Sequence, residues 1–195
     1  MRYIGTILLF SILVTNSFGQ SKGNTATPSL PIDSITGRII YTDVVYVDSS
    51  TTKEELFSRA REWFAKAYKS SLDVIQMEDQ TNGKIIGKAA ISVYSLTKFP
   101  DGHINYTISL YFKNGRYKYE LTDFYHKGQY RSNYTIPDYG ACEKMINTTD
   151  RTMGISHQKT YNSYLNKMNS EISVLVESLK MSMKVGTVNA KKDDW

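Results

Sequence analysis

The chain has 195 residues but only one cysteine, Cys142, and four prolines. A lone cysteine excludes a disulfide scaffold in an exported domain. The core must form by packing alone, which a chain of this length manages without disulfides or metals. No base is identifiable near Cys142, so it reads as a small buried apolar residue and not as a nucleophile. Charge of one sign is also scarce, with 24 basic against 19 acidic residues and a formal charge of +5. The dense basic stripe of a nucleic-acid-binding domain is missing, and no nucleic-acid partner is expected. Chemical motifs are missing too. His103, His126 and His157 stand alone without zinc-ligand spacing. There is no phosphate loop and no Gly-x-Ser-x-Gly elbow. Glu78 and Asp79 are adjacent, so in a strand they point to opposite faces and form no acid–base pair. No catalytic residue, metal or cofactor is expected on these grounds.

Long hydrophobic runs are limited to the N-terminus. Arg2 precedes an apolar run from Tyr3 to Val14, closed by Asn16, with Ser17 and Gly19 at the −3 and −1 positions before Gln20. This predicts a signal peptide over 1–19. The run is too short for a membrane span of roughly 20 residues. The mature protein is expected outside the cytoplasm, with no membrane span and, after loss of Arg2, a charge of +4 in place of +5. Residues 20–37 lack any apolar period and read as a flexible linker. Residues 186–195 read as a disordered tail after a final helix.

What is plentiful is tyrosine: 15 residues, within 12% aromatic overall. Such a composition favours strands with one half-wet face. Ile39 to Val47 predicts a first strand. Thr51 and Glu54 fit a capping box for a helix that places Leu56, Ala60, Trp63, Phe64 and Ala67 on one stripe. Lys53, Arg59, Arg61 and Lys66 fall on its opposite face. Asn82-Gly83 and Asn114-Gly115 each lie between strand-like runs and predict two-residue hairpin turns that fix register. The second turn sets Phe112 against Tyr117, Leu110 against Tyr119 and Ile108 against Leu121 on a core face. Tyr111 then meets Lys118, and Asn105 meets Phe124, on the other face. The first turn sets Val74 against Ile91 and Leu72 against Val93, with Ile75, Met77, Ile86 and Lys88 on the reverse side. Asp101-Gly102-His103 reads as a turn entering a strand, and Gly87 as a bulge or a close backbone approach. Residues 127–154 form a Tyr-rich connector with a short helix fitting Ala141 to Ile146. Tyr161, Leu165, Met168, Ile172, Leu175, Leu179 and Met183 trace the stripe of a long helix over 155–185, with Ser156 as its N-cap. The expected fold is α+β: a two-layer sandwich of about five antiparallel strands, in the order β-α-β-β-β-β-α, with both helices on one face.

The run Glu54-Glu55-Leu56-Phe57-Ser58-Arg59-Ala60-Arg61-Glu62-Trp63-Phe64, then Val74-Ile75-Gln76-Met77-Glu78-Asp79, then Gly83-Lys84-Ile85-Ile86-Gly87-Lys88, resembles a family of exported Bacteroidota proteins. This is the domain-of-unknown-function family DUF4468, with a TATA-box-binding-protein-like (TBP-like) fold. The resemblance covers roughly residues 40 to 125. It implies that fold over 38–126, a long final helix and an envelope location, the periplasm ahead of secretion; it implies no activity. Asp33-Ser34-Ile35 is similar to a Bacteroidota O-glycosylation acceptor, which points to Ser34.

The open sheet face remains as the candidate site. On these registers it gathers Ile75, Met77, Ile86, Lys88, Tyr111, Lys118 and Phe124, apolar groups rimmed by lysine, as a surface for an envelope protein or a small amphipathic ligand. Its alternative is burial under the 127–154 connector. Two other functions stay open: an envelope enzyme using connector residues such as Asp138, Glu143 or His157, and a structural envelope component.

Overall fold

The computed structural model describes residues 26–68, 70–96, 98–130, 133–146 and 155–184. The expected signal peptide, the first part of the expected linker and the expected tail lie outside them. In chain order the elements are β1 (Tyr41–Tyr46), α1 (Lys53–Ala67), α2 (Ser71–Val74), β2 (Ile75–Asp79), β3 (Lys84–Tyr94), β4 (Pro100–Lys113), β5 (Arg116–Lys127), β6 (Gly140–Ala141), a 3-10 turn (Cys142–Met145) and α3 (Ile155–Lys184). The strands form one antiparallel sheet in the order β1-β5-β4-β3-β2, with the short β6 also pairing β5. Leu56, Ala60, Trp63 and Phe64 of α1 and Leu165, Met168, Ile172, Leu179 and Met183 of α3 form one core with Ile85, Ile91, Ile104, Ile108, Leu110 and Leu121 of the sheet. This is the expected two-layer α+β architecture.

The β4–β5 hairpin has the expected pairs from Lys113↔Arg116 to Thr107↔Thr122, including Phe112↔Tyr117, Leu110↔Tyr119 and Tyr111↔Lys118. Beyond them the register slips by one, so that Asn105 pairs Tyr125 and not Phe124. Asp123 is the extra residue, in the left-handed region at φ 59°. A bulge of this kind turns the rest of its strand over, and Phe124 enters the core at 1% exposure.

The β2–β3 hairpin departs further from expectation. Its last pair is Asp79↔Lys84, so Gln80 to Gly83 form a four-residue connection. Asp79 explains the longer turn: its carboxylate accepts from the Asn82 backbone N–H at 2.9 Å and from Asn82 Nδ2 at 2.7 Å. Leu72 and Val74 sit in α2 and not in a strand, and Ile91 and Val93 pair only with β4. A second bulge between Ile75 and Met77 sets Ile75 opposite Gly87. Gly87 lets Phe64 approach: a Cβ there would lie 3.1 Å from Phe64 Cε1 and 3.2 Å from Ile108 Cγ2.

Three smaller expectations shift. The cap of α1 is Thr52, whose hydroxyl accepts from Glu55 N–H at 3.1 Å, one residue later than the expected box. Arg59 is buried and not on a wet face; it donates to the Met183 carbonyl at 2.6 Å and pairs with Glu55. Helix α3 starts at Ile155, so Ser156 is already inside it. From residue 26 on, the expected linker is part of the fold. Asn166 Nδ2 donates to the Ala26 carbonyl at 2.8 Å, Leu30 packs on the core, and Ile32 bridges Ile39.

Two substitutions test these backbone requirements. Asp123→Gly should leave stability unchanged or slightly higher, whereas Asp123→Val should lower it by about 1–2 kcal/mol. Gly87→Ala should cost about 1–3 kcal/mol through overpacking against Phe64 and Ile108. Urea unfolding of the three variants beside the parent chain measures all of this.

Candidate functional site

Strand alternation sends Lys84, Ile86, Lys88, Ala90 and Ser92 of β3 away from the helices, since Ile85, Gly87, Ile91 and Val93 between them are buried. Ser109 and Tyr111 of β4 and Lys118 and Glu120 of β5 share that outer face. Across the sheet, Met77 pairs Ile86, Ile86 pairs Ser109 and Ser109 pairs Glu120. One row further, Tyr111 lies between Lys84 and Lys118.

Five of the seven expected residues therefore share the outer face: Met77, Ile86, Lys88, Tyr111 and Lys118. Two do not. Ile75 pairs the inward Gly87 and packs on the core, because the bulge after it changes its side. Phe124 is buried, edge-on to Tyr41 at 5.6 Å and stacked with Tyr106 at 5.9 Å, because the Asp123 bulge inverts it. Ser34 is exposed, in a turn where Asp33 accepts from the Thr36 N–H at 2.7 Å.

Residues of β1 join the face. Val44 pairs Lys118 and Tyr46 pairs Arg116, and both are exposed. Val44, Tyr46, Tyr111, Lys113, Arg116, Tyr117 and Lys118 line a hollow of about 340 Å³. Two cations lie over rings there: Lys84 Nζ is 5.3 Å from the Tyr111 centroid and the Arg116 guanidinium 5.9 Å from that of Tyr46. Lys118 pairs with Glu120 at 2.6 Å, and that hydrogen bond raises the ammonium above its ordinary range. The sequence reading assigned β1 as a strand but had no turn to fix its register against β5, so Val44 and Tyr46 were missed.

Met77 is exposed, and the described connector pairs at the far end of β5, Gly140 with His126 and Ala141 with Tyr125. Cys142 and Met145 turn into the core, and burial pushes the Cys142 thiol up to about 12, as fits an inert residue. Glu143 accepts from the Ile39 N–H at 2.8 Å. Asp138 accepts from the Gly128 N–H at 2.8 Å and pairs Lys127 at 3.0 Å, which holds its carboxyl below the ordinary range. His157 is exposed at the start of α3. None of Asp138, Glu143 and His157 lines the hollow described above or three other hollows of the surface. Among the described residues no three His, Cys, Asp or Glu side chains gather as a metal site, and no helix is long and apolar enough to cross a membrane.

The connector does complete a buried polar cluster that sequence reasoning did not find. His126 is fully buried, its ring stacked with those of Tyr139 at 4.8 Å and Tyr164 at 5.2 Å, which are themselves 6.5 Å apart. Its Nδ1 accepts from the Tyr139 N–H at 3.3 Å, which leaves the proton on Nε2. Tyr164 donates to Asp101, a buried carboxylate, at 2.5 Å. Asp101 thus belongs to β4 and not to the expected turn. The four residues are scattered in sequence, and only the density of tyrosine around the connector hinted at them.

An antiparallel sheet with its helices on one face and the other face open has the architecture of the TBP-like class. Residues 41–127, the span of β1–β5, match the family described as a domain of unknown function (DUF4468) with TBP-like fold. It is similar to the crystal structure of a DUF4468 family protein from Bacteroides ovatus, at TM-score 0.57 and 15% identity over 80% of this chain and 92% of that one. It is also similar to that of a TBP-like protein from Parabacteroides distasonis, at TM-score 0.52 and 16% identity over 74% and 94%. At such identities the likeness is one of fold. No curated protein matches the chain.

Burial disfavours the charged imidazolium of His126 and lowers its pKa below the ordinary 6.5. The unfolded chain then takes up a proton near pH 6.5 that the folded chain resists. Stability should be full above that pH and fall from pH 7.5 to 5.5, ahead of any loss from the carboxylates. The fall should be smaller in His126→Asn, as urea midpoints at the two pH values would read.

Proposed function

We propose that the protein is an exported binding module of the periplasm, which acts by holding a partner protein or a small amphipathic ligand on its open sheet face and not by catalysis. The observation that carries this reading is the outer face itself. It presents Met77, Val44 and Tyr46 to solvent beside Tyr111 and Ile86, while the core on the other face is already complete. A contiguous apolar and aromatic patch rimmed by lysine is the usual form of a recognition surface. Export is supported by the N-terminal pattern of Arg2, the Tyr3–Val14 run, Ser17 and Gly19.

The test is native mass spectrometry of the protein isolated from the cells that make it, beside the double variant Met77→Ser/Tyr111→Ser. The parent chain should carry a bound species that the variant lacks, at an unchanged urea midpoint. Capture of the same species by both would place binding elsewhere.

A further inference from the structure

We infer that the hollow at the β4–β5 turn end of the open face takes a small anionic amphiphile, a molecule with one acidic head and a short apolar body. The inference rests on the binding reading above and names the ligand class. The apolar part of the site is Val44, Tyr46 and the Tyr111 ring. Around it stand Lys84, Lys113, Arg116 and Lys118. No carboxylate lines the hollow. Among the described residues Lys84, Lys113 and Arg116 form no ion pair, in contrast to Lys118 with Glu120. Asp79, across from Lys84 in β2, is the nearest acid in register, and the Asn82 amides already occupy it.

Unneutralised cations around an apolar floor attract an anion and hold its uncharged body at once. A volume of 340 Å³ falls at the small end of the range for small-molecule sites. Two larger hollows lack that complementarity. One, lined by Ser92, Tyr94, His103, Gln129 and Tyr130, holds no lysine or arginine. Another sets Lys88 among Asp73 and Asp123.

The experiment titrates the isotope-labelled full chain with decanoate below its micelle concentration, read by amide chemical shifts. Decyltrimethylammonium, with the same tail and the opposite charge, is the comparison. Decanoate should give saturable shifts confined to residues 44–46 and 111–118, weakening as salt rises. Lys113→Gln/Arg116→Gln should weaken it about tenfold without moving the urea midpoint. The cationic amphiphile should bind at least as much more weakly. Equal binding of the two amphiphiles, or an unchanged affinity in the double variant, overturns the anion assignment and leaves the face itself standing. Shifts confined to other residues overturn the hollow. Binding to phosphatidylglycerol vesicles without binding of monomeric decanoate overturns it in favour of a membrane surface. Failure with decanoate beside a native ligand that still depends on Met77 and Tyr111 overturns the ligand class alone; loss of both removes the face as well.

Discussion

The sheet is covered on one side only, so every strand has to keep its inward residues in phase with the helices above. Side chains alternate with period two, and a strand that slips by one residue turns its whole apolar set to water. β5 meets this demand with Tyr117, Tyr119 and Leu121 inward, then spends one residue at Asp123, then resumes with Phe124 and His126 inward. Without the bulge, Asp123 would face the core and Phe124 would not, an exchange that buries an unpaired carboxylate. β4 makes the complementary change. Asp101 is inward, Gly102 adopts φ 123°, and Ile104, Tyr106, Ile108, Leu110 and Phe112 then alternate without fault. The buried cluster follows from these two irregularities: one delivers His126 and the other Asp101, and α3 and the connector bring Tyr164 and Tyr139 to meet them.

The helical layer is joined by polar contacts as well as by packing. Arg59 reaches from α1 to the Met183 carbonyl in the last turn of α3, where unpaired carbonyls and the helix dipole both favour a cation. Trp63 Nε1 donates to Ser178 Oγ at 3.0 Å, so the same indole that fills the core also sets how α3 lies against α1. The burial of Arg59 follows from this: its charge is paired with Glu55 and spent on a helix end, not left among apolar side chains.

Elements with a strong period were legible in the sequence, and so was one register. The α1 and α3 stripes carry apolar residues at helical spacing over many turns. The Asn114-Gly115 turn is short enough to propagate its pairing along most of β4 and β5. The failures are local competitions that alternation does not encode. Asp79 captures the Asn82 amides and lengthens a turn expected to take two residues. Asp123 adopts a left-handed conformation that nothing in the flanking pattern requires. The longer turn shifts its register by two and leaves the faces unchanged, but the bulges at Asp123 and between Ile75 and Met77 each shift it by one; Phe124 and Ile75 were assigned to the outer face for this reason. The pairing of β1 with β5 joins residues 70 to 80 apart, and no turn connects them.

The open face owes its character to that same long-range pairing. β1 lies beside β5 so that Val44 meets Lys118 and Tyr46 meets Arg116, which sets apolar side chains among cations. In the sequence these charges are diluted by acids elsewhere, and a formal charge of +5 argues for no particular partner. In the fold most of the nearby acids are engaged: Glu78 with Arg61 on the helix side, Glu120 with Lys118, Asp79 with Asn82. Net charge averages over pairs that the structure has already neutralised, whereas a ligand meets only the unpaired remainder. At the β4–β5 turn that remainder is positive and lies around exposed rings.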